Sequence, residues 1–311
     1  MREILTWLFG FIKRHSVLVR LAVVLVLFAL LLHNIQPVKI ITAFGQAKSS
    51  YLIYGLVLMI PNFLLQIFKW DYILRTLSPR PSFRSAAVSV LGGFFLGAVS
   101  PARTGEFARG IFMPGQSLVR IASLTVVDKG FNQATVVILG LFSLGLLLPW
   151  PLSITPFLVG VFVIGVLYNL YRLKPGLESF LHRFTHSERV DNALAAFDAL
   201  SPNTVAGMIC FSIVFYLIYA AQFYLMLLAF VHVPLITALK TLPVVYLINL
   251  ILPVSFGHFG VKEIATVKLL TPFGISGVFV FSATLTNNVI TFLLPGIVTG
   301  IMVAFYRHGK K

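Results

Sequence analysis

Acidic residues are scarce in this chain. Nine Asp and Glu stand against 24 Lys and Arg in 311 residues, which leaves a formal net charge of +15. In a soluble protein such an excess would suggest a nucleic-acid partner. Charged residues are only 11% of this chain, however, and no loop is long enough to hold a folded nucleic-acid-binding module. We therefore expect no nucleic-acid partner, and we place the basic residues in loops that face anionic lipid.

Cysteine and the common cofactor motifs are nearly absent as well. The single cysteine, Cys210, excludes an internal disulfide and a cysteine metal cluster. No phosphate-binding GxxxxGKS/T loop, no HExxH motif and no CxxC motif occurs. The segments between the apolar runs are too small for a soluble transferase domain. We therefore expect no metal, no cofactor and no enzymatic activity.

Hydrophobic residues make up 58% of the chain, and they gather in runs that reach membrane-spanning length. Soluble domains do not show this pattern. The sequence therefore predicts an all-α polytopic membrane protein that forms a single membrane domain over residues 1–311. Six runs are interpreted as full transmembrane helices: residues 17–32, 51–67, 130–148, 156–173, 205–231 and 275–306.

Two further apolar runs are too short to cross. Residues 86–99 and 241–252 would form helices of roughly 21 Å and 18 Å, against a hydrocarbon core of about 30 Å. Each run ends at a proline followed by glycine, and broken backbone at membrane depth is tolerated only inside protein or beside a water-filled cavity. We predict that both runs turn back as re-entrant hairpins. The predicted breaks are Pro101 and Gly105 in the first, and Pro253, Gly257 and Gly260 in the second.

The distribution of positive charge predicts the orientation. Four Lys and Arg lie in residues 1–20, four in 69–84, four in 172–189 and three in 307–311. If these segments are cytoplasmic, the two hairpins must insert from opposite sides. The prediction is about six full transmembrane helices plus two oppositely oriented re-entrant hairpins. We expect the cytoplasmic membrane of a prokaryote, with the N- and C-termini on the cytoplasmic side.

The two breaks have similar surroundings. Each reads Pro-x-x-x-Gly followed by an acid, and each acid precedes a pair of polar residues in a long apolar run. Asp128 and Lys129 begin 22 positions after Glu106, while Asn287 and Asn288 begin 24 positions after Glu263. We predict an inverted repeat, as in many transporters. Its halves are residues 50–150 and 203–306, joined by a cytoplasmic amphipathic connector at 174–201.

Charged residues cluster at the first break. Glu106 lies three residues from Arg103 and from Arg109, so on a helix both reach its carboxylate. Because Arg binds phosphate through a bidentate fork, we predict that Arg103, Arg109 and Lys129 bind an anionic headgroup. Glu106 and Asp128 would balance charge or carry protons. Two alternatives stay open: the trio only neutralises itself and fixes the hairpin, and Lys129 only extends to the membrane interface.

The second break has a corresponding polar group. We predict that Lys262 also binds the headgroup, and that Glu263 and His258 balance charge or couple to protons, since histidine titrates near neutral pH. A histidine in a membrane helix is, alternatively, a hydrogen-bonded packing residue. Asn287 and Asn288 are expected to form hydrogen bonds between helices.

At residues 101–109 (PARTGEFAR) and 253–263 (PVSFGHFGVKE) the chain resembles the membrane region of lysylphosphatidylglycerol synthases and their stand-alone flippase-like relatives. The resemblance rests on P-x-x-x-G-E-x-x-R and P-x-x-x-G-x-x-G-x-x-E in this order. Asp128-Lys129 is similar to the family's acid–Arg pair, with Lys in place of Arg, and His258 stands where a second glycine is usual. The resemblance implies the translocating part without the synthase domain.

These observations favour a lipid flippase that moves an anionic phospholipid or a polyprenyl-phosphate-linked headgroup through a cationic intramembrane cavity. Its partners would be that lipid and a separate lipid-modifying synthase. One alternative is a membrane-embedded enzyme, or an accessory subunit, that acts on a lipid-linked substrate, because paired acids beside a histidine suit acid–base work. Another is an ion-coupled small-solute transporter.

Overall fold

The computed structural model describes residues 37–77, 79–169, 200–252 and 260–308. Every regular element in these residues is helical, which confirms the all-α prediction for the described part of the chain. The first predicted span, 17–32, lies outside the described residues, and so does the connector 174–201 apart from its last two residues. Pro253, Gly257 and His258 lie outside them as well.

The first half of the described chain contains six α-helices and a long 3₁₀ helix. They are α1 (Pro37–Gly45), α2 (Ser49–Val57), α3 (Met59–Leu74), α4 (Phe83–Val99), the 3₁₀ segment (Pro101–Phe112), α5 (Leu118–Leu147) and α6 (Ile154–Tyr168). Serine hydroxyls start two of these helices: Ser82 accepts a hydrogen bond from the backbone of Ser85, and Ser117 from that of Arg120. Such N-caps satisfy amides that the first turn leaves unpaired.

The second half contains five α-helices, a short 3₁₀ turn and a π-helical turn in its described residues. Its elements are α7 (Pro202–Phe230), α8 (Leu235–Ile251), α9 (Val261–Leu270), a short 3₁₀ turn (Thr271–Phe273), α10 (Gly277–Asn288), a π-helical turn (Val289–Leu293) and α11 (Leu294–His308). Ser201 caps α7, with Pro202 in the first turn, where proline costs no hydrogen bond.

Four helical stretches among the described residues are long and apolar enough to cross a membrane. They are Ser49–Leu74, Leu118–Leu147, Pro202–Phe230 and Gly277–Met302, and they correspond to four of the six predicted spans. The predicted span 156–173 corresponds to α6, which has 15 residues. The helices extend beyond two of the predicted spans: α3 continues through Lys69 to Leu74, and α5 begins at Leu118 and passes through Asp128 and Lys129.

The outer faces of the helices are apolar. Large side chains there are more than half exposed: Ile53, Leu158, Phe162, Leu217 and Ile297. Such a surface is stable only where lipid replaces water. It agrees with an integral membrane protein.

The 3₁₀ segment folds back along α4. A Cβ on Gly105 would lie 2.2 Å from the carbonyl oxygen of Leu96, and a Cβ on Gly97 would lie 2.6 Å from the Glu106 side chain. Beyond the segment, the Gln116 side chain donates a hydrogen bond of 3.1 Å to the Pro79 carbonyl, just before α4 begins. The chain therefore enters and leaves this hairpin at the same end of the bundle.

The two short helices α4 and α8 begin at opposite ends of the bundle. Helix α7 runs antiparallel to α2 and α3: the Tyr72 hydroxyl donates to the Asn203 carbonyl at one end, and the Lys48 amide donates to the Ala229 carbonyl at the other. Helix α4 follows the Tyr72 end, whereas α8 follows the Ala229 end. Their starting points are thus separated by the length of α7.

Each short helix packs on the long helix of the other half. Gly140 of α5 lies against Leu247 and the Pro243 carbonyl of α8, where an added Cβ would meet atoms at 2.6 Å and 3.0 Å. Gly296 and Gly300 of α11 lie in the same way against α4. The two halves are therefore packed together through α4 and α8.

Candidate functional site

A cavity of about 340 Å³ lies between the two halves. One side is formed by the 3₁₀ segment and α5, which contribute Arg103, Glu106 and Lys129; we call these three residues the charged wall. The opposite side is formed by α7 and α8, with three tyrosines that we call the aromatic wall: Tyr216, Tyr219 and Tyr246. The cavity therefore combines a charged face and an aromatic face within the membrane-spanning bundle.

Glu106 joins the two cations of the charged wall. One carboxylate oxygen pairs with the Arg103 guanidinium and the other with the Lys129 ammonium. Glu106 itself is buried, whereas the side chains of Arg103 and Lys129 are 27% and 26% exposed. Both cations thus keep an open side on the cavity while sharing one buried counter-ion.

Arg103 has an unusual backbone. Its φ is +59°, the only positive φ of a non-glycine residue among the described residues. Its guanidinium carbon lies 4.9 Å from the ring centre of Phe94 and 5.7 Å from that of Phe292. Backbone strain of this kind costs roughly 1–3 kcal/mol and is found most often at functional sites, while aromatic faces stabilise the cation.

A second layer of charge lies behind the charged wall. Asp128 pairs with Arg109 at 2.8 Å and with Lys69 at 3.1 Å, and all three side chains are buried; we call them the buried triad. Arg109 also donates to Thr125 at 2.7 Å and stacks 3.6 Å from the centre of the Trp70 ring. Arg109 therefore pairs with Asp128 rather than with Glu106, which corrects the pairing expected from helical spacing.

Spacing along the 3₁₀ segment does not decide between the two arginines, because Arg103 and Arg109 both lie three residues from Glu106; Arg109 is held instead by Asp128, Thr125 and Trp70. In a 3₁₀ helix there are three residues per turn, so side chains at i and i+3 lie in one row. Arg103, Glu106 and Arg109 accordingly form a row along the 3₁₀ segment, which spans Pro101–Phe112. Glu106 and Arg109 both reach α5, where they pair with Lys129 and Asp128, whereas Arg103 pairs with Glu106.

The second half holds a smaller polar cluster. The Glu263 carboxylate accepts hydrogen bonds from the Gly260 amide and from the Asn288 side chain, both at 2.7 Å. The Lys262 ammonium donates to the Asn288 carbonyl oxygen at 3.2 Å and lies 4.3 Å from the centre of the Phe223 ring. Gly260 has a φ of +96°, a conformation that favours glycine.

The two clusters correspond in position. In each half an acid from the short element after the break contacts the second residue of the polar pair: Lys129 for Glu106, and Asn288 for Glu263. They differ in exposure, because Lys262 and Glu263 are fully buried. Lys262 lies behind the aromatic wall, 5.4 Å from the ring centre of Tyr219 and 5.5 Å from that of Tyr246, and is not placed on the cavity surface.

The family model described as "Lysylphosphatidylglycerol synthase TM region" matches residues 17–299 of the chain. The chain belongs to this family. Membership confirms the resemblance inferred from the two break motifs, and it makes the protein an integral membrane protein with a lipid-related function. Comparison with curated proteins finds no match.

Several cavity residues of this family member were not predicted from the sequence. Neutral polar side chains from four helices line the cavity: Asn62, Gln66, Asn132, Gln133, Gln222 and Asn249. The available signal was the presence of amide side chains inside apolar runs, where each needs a polar partner or water. Gln222, for example, donates to the Gly55 carbonyl at 2.8 Å. Lys69 was counted as a loop residue, although it is buried beside Asp128.

The remaining predicted residues take structural positions. The Gly105 amide donates to the Ser100 hydroxyl at 2.7 Å, directly at the break that Pro101 begins. Asn288 connects Lys262 with Glu263. The side chain of Asn287 is fully buried and has no hydrogen-bond partner among the described residues.

Proposed function

We propose that this protein is a lipid flippase, which moves an anionic phospholipid or a polyprenyl-phosphate-linked headgroup through the cavity between its halves. The observation that carries the proposal is the charged wall, where two partly open cations face a membrane-embedded cavity. A headgroup phosphate in hydrocarbon would lose its hydration, and paired cations replace it with charge-assisted hydrogen bonds.

The roles within the wall follow from its geometry. Arg103 offers a guanidinium fork and Lys129 a mobile ammonium, and Glu106 holds the two cations together. An entering phosphate would compete with Glu106 for both cations. Glu106 would thus act as an internal counter-ion that offsets one of the wall's two positive charges when no lipid is present.

The proposed transport route is an inverted repeat with two re-entrant hairpins. Three observations support it: the first hairpin starts and ends at one end of the bundle, α4 and α8 begin at opposite ends, and each packs on the long helix of the other half. In transporters of this plan the broken helices meet near the bilayer midplane. The headgroup would cross there while the lipid tails remain outside.

The charge arrangement favours transport over acid–base chemistry. Glu106 and Asp128 each contact two cations, so both carboxylates are engaged as counter-ions. A general acid or base needs a proton that it exchanges at the operating pH.

The test is lipid exchange in proteoliposomes. The purified protein would be reconstituted with fluorescent phosphatidylglycerol, and the accessible fraction followed after addition of a membrane-impermeant quencher. We expect faster exchange than in protein-free liposomes. Arg103→Gln and Lys129→Gln should each slow it about tenfold or more, because a hydrogen bond to a charged group contributes roughly 1.5–3 kcal/mol. The matched control is Lys268→Gln, an exposed lysine on α9.

The proposal would be overturned if the wild-type protein failed to accelerate the exchange of phosphatidylglycerol, phosphatidic acid and a polyprenyl phosphate alike. It would also be overturned if Lys268→Gln slowed exchange as much as Lys129→Gln, since the charged wall would then have no special role.

A further inference from the structure

We infer that the cavity prefers phosphate groups with two negative charges, such as a phosphomonoester or a diphosphate, over phosphodiesters with one. The inference rests on the proposed function, because it names the substrate class of the same cavity. It follows from the charges of the charged wall and the buried triad taken together.

These six side chains form one network of opposite charges. The cations are Lys69, Arg103, Arg109 and Lys129, and the acids are Glu106 and Asp128. Four positive charges and two negative charges leave a net charge of +2. The two layers join through neighbouring residues on α5, since Asp128 belongs to the buried triad and Lys129 to the charged wall.

The other acids in the described part of the chain do not balance this excess. Asp71 pairs with Arg75 and Arg80, and Glu263 is bound to Gly260 and Asn288. The buried triad itself is closed to solvent, because the side chain of Lys69 is 2% exposed and that of Arg109 is 5% exposed. Uncompensated charge is costly where water is excluded, so a ligand that supplies two negative charges is favoured.

The excess positive charge of the network is accessible to a ligand only at the charged wall. Arg103 and Lys129 are the members of the network with open sides on the cavity. Glu106 binds them with two different oxygens of one carboxylate, which shows that they are spaced for a single multidentate anion. A terminal phosphate carries three equivalent oxygens, whereas a diester has two and only one charge. A monoanion would leave one positive charge without a partner.

The experiment compares matched ligands that differ by one methyl ester. Binding of dihexanoyl phosphatidic acid and of dihexanoyl phosphatidylmethanol to the purified protein in detergent would be measured at pH 8 by microscale thermophoresis. At this pH the phosphomonoester carries close to two charges, since its second pKa is about 6. We expect phosphatidic acid to bind at least about tenfold more tightly, a difference typical of one charge-assisted hydrogen bond.

Two variants test whether the excess charge is the cause. Lys129→Gln and Arg103→Gln each reduce the net charge to +1, so each should bring the ratio of the two dissociation constants close to one. Two variants are used so that misfolding of one leaves the other informative. Lys268→Gln should keep the wild-type ratio. Equal or tighter binding of phosphatidylmethanol by the wild-type protein, or binding of neither lipid, would overturn the inference.

Two further arms separate the possible outcomes. Glycerol 3-phosphate has the same dianion without tails; if it competes as well as phosphatidic acid, the ligand is a free phosphate ester rather than a lipid, and the lipid form of the inference is wrong. Exchange in liposomes is measured in parallel. Exchange without a dianion preference contradicts this inference alone, whereas preferential binding of the dianion without exchange of either lipid contradicts only the flippase proposal.

Discussion

Lys129, near the middle of α5, pairs with Glu106 of the 3₁₀ segment across the wall of the cavity. The pair links the first helix break to the long helix that follows it, so it has both a structural and an electrostatic role. A double-mutant cycle separates these roles. We expect Glu106→Gln and Lys129→Gln each to lower the melting temperature in detergent, and the double variant to lower it by less than the sum.

The expected coupling is about 0.5–3 kcal/mol, which is typical of contacting residues in one network. The control cycle pairs Glu106→Gln with Lys268→Gln, whose effects should add because Lys268 is exposed on α9. Additive effects for the pair of Glu106 and Lys129 would show that this contact contributes nothing to stability.

The buried triad predicts that substitution of Asp128 causes a large loss of stability. Asp128→Asn leaves Lys69 and Arg109 without their carboxylate, and breaking a buried ion pair by removing one partner costs about 3–5 kcal/mol. The matched control is Asp71→Asn, since the arginine partners of Asp71 are more than half exposed. Asp71 itself is buried, but its exposed partners recover hydration, so the control should cost clearly less than Asp128→Asn. Thermal unfolding monitored by tryptophan fluorescence measures the stability of both variants. Equal losses of stability would contradict the role of Asp128 as the shared partner of two buried cations.

The sequence was informative where a feature depends on neighbouring residues. The first break was predicted from Pro101 and Gly105, because proline cannot continue a helix and the apolar run before it is too short to cross a membrane. The spacing placed Arg109 within reach of Glu106, but Arg109 pairs with Asp128 because Thr125 and Trp70 of other elements also hold its guanidinium, and the local sequence does not specify these contacts. Lys69 was missed because its partner is 59 positions away.

The first hairpin depends on a close approach at Gly105. Gly105→Ala places a Cβ 2.2 Å from the Leu96 carbonyl oxygen, and backbone atoms cannot move aside without separating the 3₁₀ segment from α4. Gly130→Ala is the control, because its Cβ meets nothing within 4 Å and alanine favours the helix. We expect Gly105→Ala to lower the melting temperature and to slow lipid exchange, and Gly130→Ala to do neither. If Gly105→Ala changed neither the melting temperature nor lipid exchange, the 3₁₀ segment would not be packed tightly against α4.

Substitutions of the two asparagines of the second half should destabilise the protein by different amounts. Asn288→Leu removes hydrogen bonds from buried Glu263 and Lys262, and leaving buried charged groups unsatisfied costs more than about 1–3 kcal/mol. Asn287→Leu removes an amide that has no partner among the described residues, so it should cost much less. Melting temperatures compared in one detergent measure the difference. Equal destabilisation would mean that Asn287 has a partner of its own.

The proposed re-entrant hairpins predict which residues are accessible from each side of the membrane. Single cysteines would be introduced into a Cys210→Ser background and labelled with a membrane-impermeant maleimide. Lys48→Cys and Arg80→Cys mark the two sides, since both residues are exposed at opposite ends of the bundle. Because Gln116 donates to the Pro79 carbonyl, Gln116→Cys should behave like Arg80→Cys.

The second proposed hairpin is tested in the same labelling experiment with Phe273→Cys. Phe273 is exposed and follows α9, so it should label together with Lys48→Cys if this hairpin enters from the opposite side. By positive-inside counting, Lys48→Cys and Phe273→Cys should react in intact cells, and Arg80→Cys and Gln116→Cys only after permeabilisation. A Gln116→Cys variant that labels together with Lys48→Cys would make α4 a complete crossing. The two helix breaks would then not meet from opposite sides, and the charged wall would line no transport route.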